Sequence, residues 1–305
     1  MTPLDDLRKL STTLLYEGCM LYPYRASALK NQRPGWTFGA LLPPVYVARN
    51  RGESDRMQSQ VLANIPEDAE LALEVRFLQL HAAANDQRSS PAVERCVSVS
   101  GSADSLLSSA AASTFAFPLA DSPAAQIDGT AEIGAERIKG CTCRVTIRVR
   151  NISSTPAEIL ENRDAALNYA FLSLNALLTL SGGEFISLLD PPDELREAAA
   201  RCRQIGVYPV LAGDARTRSG MLISPIILYD FPQVAPESKG DFFDSSEIDE
   251  ILALRVLTLS DAEREEIQRN QSGYEILSRT NDLSPAEMRR MHGTFRSPPD
   301  AERNR

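Results

Sequence analysis

The chain has 305 residues, 43% hydrophobic and 24% charged, which is typical of a globular protein with one large domain or two ordinary ones. Its formal net charge of −9 disfavours general nucleic-acid binding, because a phosphate backbone attracts positive charge. The five cysteines are sparse and odd in number, so they predict no disulfide framework. We find no signal-peptide pattern and no apolar run of bilayer length, and therefore expect a cytoplasmic protein without a membrane span.

The N-terminal stretch, from Thr2 to about Met20, is predicted to be a helix. Leucines recur there at spacings of three and four, which places them on one face: Leu4, Leu7, Leu10, Leu14 and Leu15.

The segment Leu21–Trp36 interleaves aromatic rings with cations and follows no simple period. Tyr22, Tyr24, Arg25 and Lys30 form a candidate site for an anion or an acidic partner, with the rings packed on the body and the cations accessible. The alternative is a connector whose cations pair with nearby carboxylates, since surface ion pairs are common and weak.

Three stretches of the first half favour β-structure. Trp36–Val47 is β-prone but contains Pro43 and Pro44, which predicts an edge strand or a strand–bend–strand unit. Glu70–Leu80 alternates as a half-buried antiparallel strand does. Residues 85–125, rich in Ser and Ala, show only one candidate strand, at Val93–Val99.

A hairpin is predicted from Thr130–Arg137 and Cys141–Arg150, with its turn near Gly140. In the second strand Cys141 and Cys143 fall on the apolar face, and no further Cys or His cluster follows them. Because zinc needs about four such ligands, we interpret both thiols as core residues rather than metal ligands.

A helix is expected from Thr155 to about Phe171, broken near Asn162. Leu172–Leu180 and Glu184–Leu189 then flank a Ser-Gly-Gly turn, which favours a second hairpin.

Farther along, Asp190 is expected to cap a helix ending near Cys202. Val207–Leu211 is a predicted short strand. The apolar run Met221–Tyr229 is bounded by turn signals, which predicts a strand buried on both faces.

A proline-rich acidic loop follows this run, with seven carboxylates between Asp230 and Glu250. Three interpretations are open: a divalent-metal site, carboxylates that stabilise a helix N-terminus, and a docking loop. The spacing matches no calcium loop and helix capping accounts for several of the acids, so we favour a docking surface over a reaction centre, and a purely structural loop remains open. The candidate binding residues of this loop are Asp230, Glu237, Asp241, Phe242, Phe243 and Asp244.

Capping signals predict three C-terminal helices, at Glu247–Leu254, from Ser260 to about Thr280, and from Ser284 to near Gly293. Ser297–Arg305 is expected to be a disordered tail.

Catalytic signatures are sparse in this sequence. The two histidines, His81 and His292, lie in unrelated segments, and we find no Walker loop, nucleophile elbow or paired-histidine motif. The sequence indicates no cofactor and no catalytic residue, and we therefore favour a function that is not enzymatic.

Three stretches together resemble a family of bacterial proteins without an assigned reaction that is encoded in operons for nickel–iron hydrogenases: Tyr16–Asn31, Gly182–Pro192 and Ser224–Leu259. The resemblance implies an accessory, assembly or scaffolding role beside the hydrogenase, with hydrogenase subunits or maturation factors as partners. It supplies no catalytic residues. Because the chain has no thiolate clusters, we do not expect it to hold an iron–sulfur cluster or to deliver nickel.

The expected fold is α+β, an antiparallel sheet or sandwich with inserted helices and a helical C-terminal extension. We divide the chain into 1–35 (helix and basic-aromatic segment), 36–230 (β domain), 231–296 (acidic loop and helices) and 297–305 (tail). The predicted function is non-catalytic protein binding. The alternatives are an enzyme that binds an anionic substrate at Arg25 and Lys30 with the carboxylates of 230–250, and a self-assembling homo-oligomer.

Overall fold

Two five-stranded antiparallel sheets form the body of the protein in a computed structural model, which confirms the α+β class. The structure describes residues 3–17, 39–80, 92–119, 122–156, 159, 162–232, 264–265, 277–278, 281–282 and 284. Within these residues no helix has the length and apolar character needed to cross a membrane.

Each sheet draws its strands from both halves of the chain. The first sheet has the order β4-β5-β6-β1-β8 and the second has the order β3-β2-β7-β10-β9. The strands are β1 (Arg56–Asn64), β2 (Glu70–Leu80), β3 (Ala92–Ser102), β4 (Ala111–Leu119), β5 (Ser122–Lys139), β6 (Thr142–Asn151), β7 (Leu172–Ser181), β8 (Glu184–Ile186), β9 (Tyr208–Ala212) and β10 (Gly220–Ser224).

Among the helices whose full range the structure describes, all but the first are short. They are α1 (Pro3–Glu17), α2 (Pro44–Val47), α3 (Ala103–Ser108), α4 (Arg163–Leu167) and α5 (Arg196–Ala200), with a 3-10 helix at Asp193–Leu195 just before α5.

The inner faces of the two sheets share one apolar core, as expected for a sandwich. Alternate residues of β2 and β6 point inward, so the period of two in the sequence correctly predicted the buried face of each strand. Phe77, Phe171 and Phe185 are the largest fully buried side chains, and the rings of Phe77 and Phe171 stack at 4.6 Å.

Helix α1 lies on the outer face of the second sheet. Leu7 and Leu14 are 3% and 2% exposed and pack on strands β7, β9 and β10, which confirms the predicted buried face for these two leucines. Between them, the Ser11 hydroxyl donates a hydrogen bond to Asn175 Oδ1, and both residues are buried. Arg8 donates to Glu74 of β2 at 2.7 Å. The helix is therefore held by apolar packing, a buried polar pair and a salt bridge.

The predicted second hairpin is wrong. β7 pairs with β2 and β10, whereas β8 pairs with β1 in the other sheet, so the Gly182–Gly183 turn carries the chain from one sheet to the other. Gly182 has φ +82°, as a tight turn at glycine requires. A Cβ at Gly183 would lie 2.4 Å from the Asn64 carbonyl oxygen, so the close approach of the sheets also needs glycine there.

Trp36–Val47 is not a strand in its described part. Only Leu41 forms a β-bridge, to Phe171, and Pro44 then starts the single turn α2. The fixed φ of proline suits the first position of a helix. This explains why the β-prone residues after Pro44 form a helical turn instead of a strand.

The hairpin of β5 and β6 is confirmed, as are strands at the predicted positions of β3 and β9. Cys143 is fully buried, but Cys141 lies exposed in the turn, so its assignment to the apolar face was wrong. The predicted helix is interrupted at Asn162, as expected, where the Asn162 side chain accepts from Ala165 N and caps α4.

The predicted C-terminal helices and tail lie almost entirely outside the described residues. So does the basic-aromatic segment, Leu21–Trp36.

Candidate functional site

Asp230 is the only predicted binding residue that lies among the described residues. The others fall outside them: Tyr22, Tyr24, Arg25, Lys30, Glu237, Asp241, Phe242, Phe243 and Asp244. The structure therefore shows the base of the acidic loop, and the predicted role of the remaining residues stays a prediction.

The carboxylate of Asp230 fastens the start of the acidic loop to two strands. Oδ1 accepts from the backbone N–H of Leu211 on β9 at 2.8 Å, and Oδ2 accepts from the Ser187 hydroxyl after β8. The Ser187 oxygen itself accepts from the N–H groups of Leu189 and Asp190, at 3.1 and 3.0 Å. Hydrogen bonds to an ionised acceptor are stronger than neutral ones, so this carboxylate is an effective anchor.

Phe231 completes the anchor. Its backbone N–H donates to Leu211 O at 2.6 Å, and its side chain packs against the sandwich core. Its φ of +57° lies in the left-handed region, which costs a non-glycine residue about 1–3 kcal/mol. The packing and the hydrogen bonds around Phe231 and Asp230 offset that strain. Both residues thus occupy the free edge of β9.

Residues 225–229, which we call the crossing segment, connect β10 to this anchor over the outer face of the second sheet. At its start the Ser224 hydroxyl donates to Ile226 O at 2.7 Å. Ile226 and Leu228 pack into the apolar cluster beneath α1. Ile227 and Tyr229 point the other way and are 72% and 85% exposed.

The predicted two-sided burial of Met221–Tyr229 is therefore right only as far as Ser224. β10 is buried throughout, but the crossing segment has one buried and one exposed face. On the neighbouring strand Tyr208, opposite Ser224, is also 45% exposed. The second sheet thus presents large apolar side chains to solvent along this edge.

A cleft of about 420 Å³ lies on the same outer face, at the other end of the strands. Its floor is a cross-strand row of small residues that includes Ala72, Thr179 and Gly220, and Leu7 of α1 forms a wall. Asp214 lies at its rim. Hydrogen bonds from the backbone and guanidinium of Arg216 lower the pKa of that carboxyl from its usual value.

Within the described part of the chain, no group of three or more His, Cys, Asp or Glu side chains is placed to hold a metal ion. The crossing segment and its anchor present two large exposed apolar side chains, Ile227 and Tyr229.

Ile227, Tyr229 and Ser187 were missed as site residues from the sequence. Burial alternates with a period of two in residues 226–229. All four residues are apolar, so their sequence carries no signal of that alternation. The hydrogen bond of Ser187 to a residue 43 positions away has no local signature.

No protein-family model matches this chain, and the curated proteins contain no significant match to it.

Proposed function

We propose that this protein is a non-catalytic accessory protein that works by protein–protein contacts through the crossing segment and the acidic loop that follows it. The proposed partner is a subunit or maturation factor of a nickel–iron hydrogenase. That identity rests on the resemblance of Tyr16–Asn31, Gly182–Pro192 and Ser224–Leu259 to the hydrogenase-operon family.

One observation carries the proposal: two large apolar side chains are held in solvent by a backbone that is pinned at both ends. Ile227 and Tyr229 are 72% and 85% exposed, while Ser224 and Asp230 fix the chain on either side. Tyrosine is among the residues enriched at the energetic centres of interfaces. A pinned segment also loses less conformational entropy on binding than a flexible one does, which favours affinity.

In the sequence, the acidic loop directly follows the segment that carries this apolar surface. Between Asp230 and Glu250 the sequence carries seven carboxylates and one lysine, Lys239. Charge at the rim of an interface mainly raises the association rate and selects the partner, whereas a buried apolar centre supplies affinity. We therefore propose a partner surface with an apolar pocket bordered by basic residues.

The test is co-purification of tagged protein from its native host with variants of the crossing segment. Wild type is expected to retain a hydrogenase subunit or maturation factor, and the double variant Ile227→Ser with Tyr229→Ser is expected to lose it. The matched control replaces two exposed isoleucines elsewhere, Ile138→Ser with Ile152→Ser, and is expected to retain the partner. Failure of wild type to retain any hydrogenase component, or equal retention by both double variants, would contradict the proposal.

A further inference from the structure

In the part of the chain that the structure describes, the sandwich has four edge strands, and three of them are short, covered or charged. This matters because an open edge can pair with another chain. β8, at one edge of the first sheet, has only three residues. Beside β8, the Gln204 carboxamide bonds to the backbone of β1 as a neighbouring strand would. Its Nε2 donates to Gln60 O at 2.6 Å, and its Oε1 accepts from Gln60 N at 3.3 Å. At the edge of the second sheet, Asp230 and Phe231 bond to Leu211 of β9.

β3, the other edge of the second sheet, carries charged side chains that are already engaged. Glu94 forms a salt bridge with Arg76, and Arg95 donates to Gln79 Oε1 and lies over the ring of Phe117. Charged residues on an edge strand disfavour pairing with a further strand.

β4 is different. It is nine residues long, its sequence AASTFAFPL has no charge, and its backbone pairs with β5 on one side only among the described residues. Ala112, Thr114 and Ala116 are exposed. Protection is confined to its C-terminal end, where Pro118 cannot donate and its carbonyl oxygen accepts from Gln79 Nε2 at 3.1 Å.

We propose that β4 pairs antiparallel with β4 of a second copy of this chain, about a two-fold axis at Thr114. In that register Ala112 lies opposite Ala116 of the other copy, and Thr114 lies opposite its own equivalent. On the outer face, small side chains therefore lie opposite small side chains. On the inner face Ser113 lies opposite Phe115. Directly opposed threonines stabilise a strand pair, and a large ring opposite a small side chain avoids a clash.

This side-chain pattern favours a second copy over an unrelated strand. The alternation Ala-x-Thr-x-Ala reads the same in both directions about Thr114, and a two-fold contact requires such self-complementarity. The strand also lacks the charges that would select an oppositely charged partner. A strand pair alone buries less than the roughly 1,200–2,000 Å² of stable interfaces, so the dimer is reversible and concentration dependent.

The first test is the mass of the full chain in solution by light scattering across a range of concentrations. Wild type rises from 33.4 kDa toward twice that mass with concentration. Thr114→Lys, which places like charges opposite one another on the two-fold axis, stays at the monomer mass. The matched control Ser98→Lys, on the exposed face of β3, behaves as wild type. A monomeric wild type, or a dimer that persists in Thr114→Lys, overturns the proposal.

The second test fixes the register by disulfide formation under mild oxidation. The background chain has Cys19, Cys96 and Cys141 replaced by serine. Thr114→Cys then cross-links two copies, because directly opposed residues have Cα atoms about 4.5–5.5 Å apart, within the roughly 4.4–6.8 Å that a disulfide spans. Ala112→Cys does not, since the two equivalents lie about 13 Å apart along the strands. Equal cross-linking of the two variants, or none in either, contradicts this register.

Discussion

Replacing the anchor of the acidic loop gives the sharpest prediction about the energetics of this site. In Asp230→Ala the Leu211 N–H loses its acceptor and the Ser187 hydroxyl loses the group to which it donates. Leu211 is 2% exposed, so water cannot easily replace the lost acceptor.

The magnitude follows from the two hydrogen bonds. A hydrogen bond to a charged group is worth about 1.5–3 kcal/mol, and a buried donor left without a partner costs about 1–3 kcal/mol. The Ser187 oxygen keeps its bonds from Leu189 N and Asp190 N, which limits the damage on that side. We therefore expect a loss of about 2–3 kcal/mol in the free energy of unfolding.

The assay is equilibrium unfolding in urea, followed by fluorescence. Asp230→Asn is the matched control, because its carbonyl oxygen can still accept from Leu211 N while the charge is lost. We expect Asn to lose less than half as much stability as Ala does. A stability for Asp230→Ala within about 0.5 kcal/mol of wild type, the range of ordinary surface changes, would refute the assignment of Asp230 as an anchor.

Three further predictions concern the packing of the core and the placement of two cysteines. In Gly129→Ala the new Cβ would lie 2.3 Å from Phe115 Cζ and 2.7 Å from Phe171 Cζ. Such overpacking should lower the free energy of unfolding by about 1–3 kcal/mol in the same assay. An unchanged stability would contradict the packing described. The Cys141 thiol should react with a thiol reagent in the native protein and Cys143 only after unfolding, and equal rates would contradict their placement. Burial raises the pKa of the Cys143 thiol above its ordinary value. The stability that its neutral form provides is therefore complete below the ordinary pKa and is lost as the pH rises through the folded-state pKa. Cys143→Val should weaken this alkaline loss of stability, and an unchanged pH profile would be inconsistent with it.

The strands that were predicted correctly are those whose inner and outer residues differ in chemistry. β6 alternates apolar residues with Arg and Thr, and β2 alternates Leu, Val and Phe with Glu and Arg at its centre. β1 alternates just as well in burial, but Ser59 lies on its inner face, where its hydroxyl donates to Gln204 Oε1. A buried serine breaks the apolar alternation that identifies a strand, and its partner is too distant in the sequence for a local pattern to reveal.

Small residues concealed β4 for a related reason. Its Ala and Ser residues differ little in hydrophobicity between the two faces, so no period emerges from them. The Gly182–Gly183 turn shows a different limit. Glycine identifies a reversal of the chain, but the sheet that the next strand joins depends on pairing with β1, about 120 residues earlier.

The candidate site was located from sequence only in part. The change from apolar run to acidic loop drew attention to Asp230, and the structure shows that its carboxylate accepts a hydrogen bond from Leu211 N. The exposed pair, Ile227 and Tyr229, could not be separated from the buried residues beside it, because exposure in this segment is set by the packing of Ile226 and Leu228 beneath α1.

The central proposal is that the crossing segment binds a subunit or maturation factor of a hydrogenase. The most direct measurement is hydrogenase activity and subunit assembly in a strain that lacks the gene, complemented with either wild type or the Ile227→Ser, Tyr229→Ser double variant at equal abundance. The account predicts that deletion impairs both readouts, that wild type restores them, and that the double variant does not. Unimpaired hydrogenase after deletion, or full restoration by the folded double variant, would contradict it.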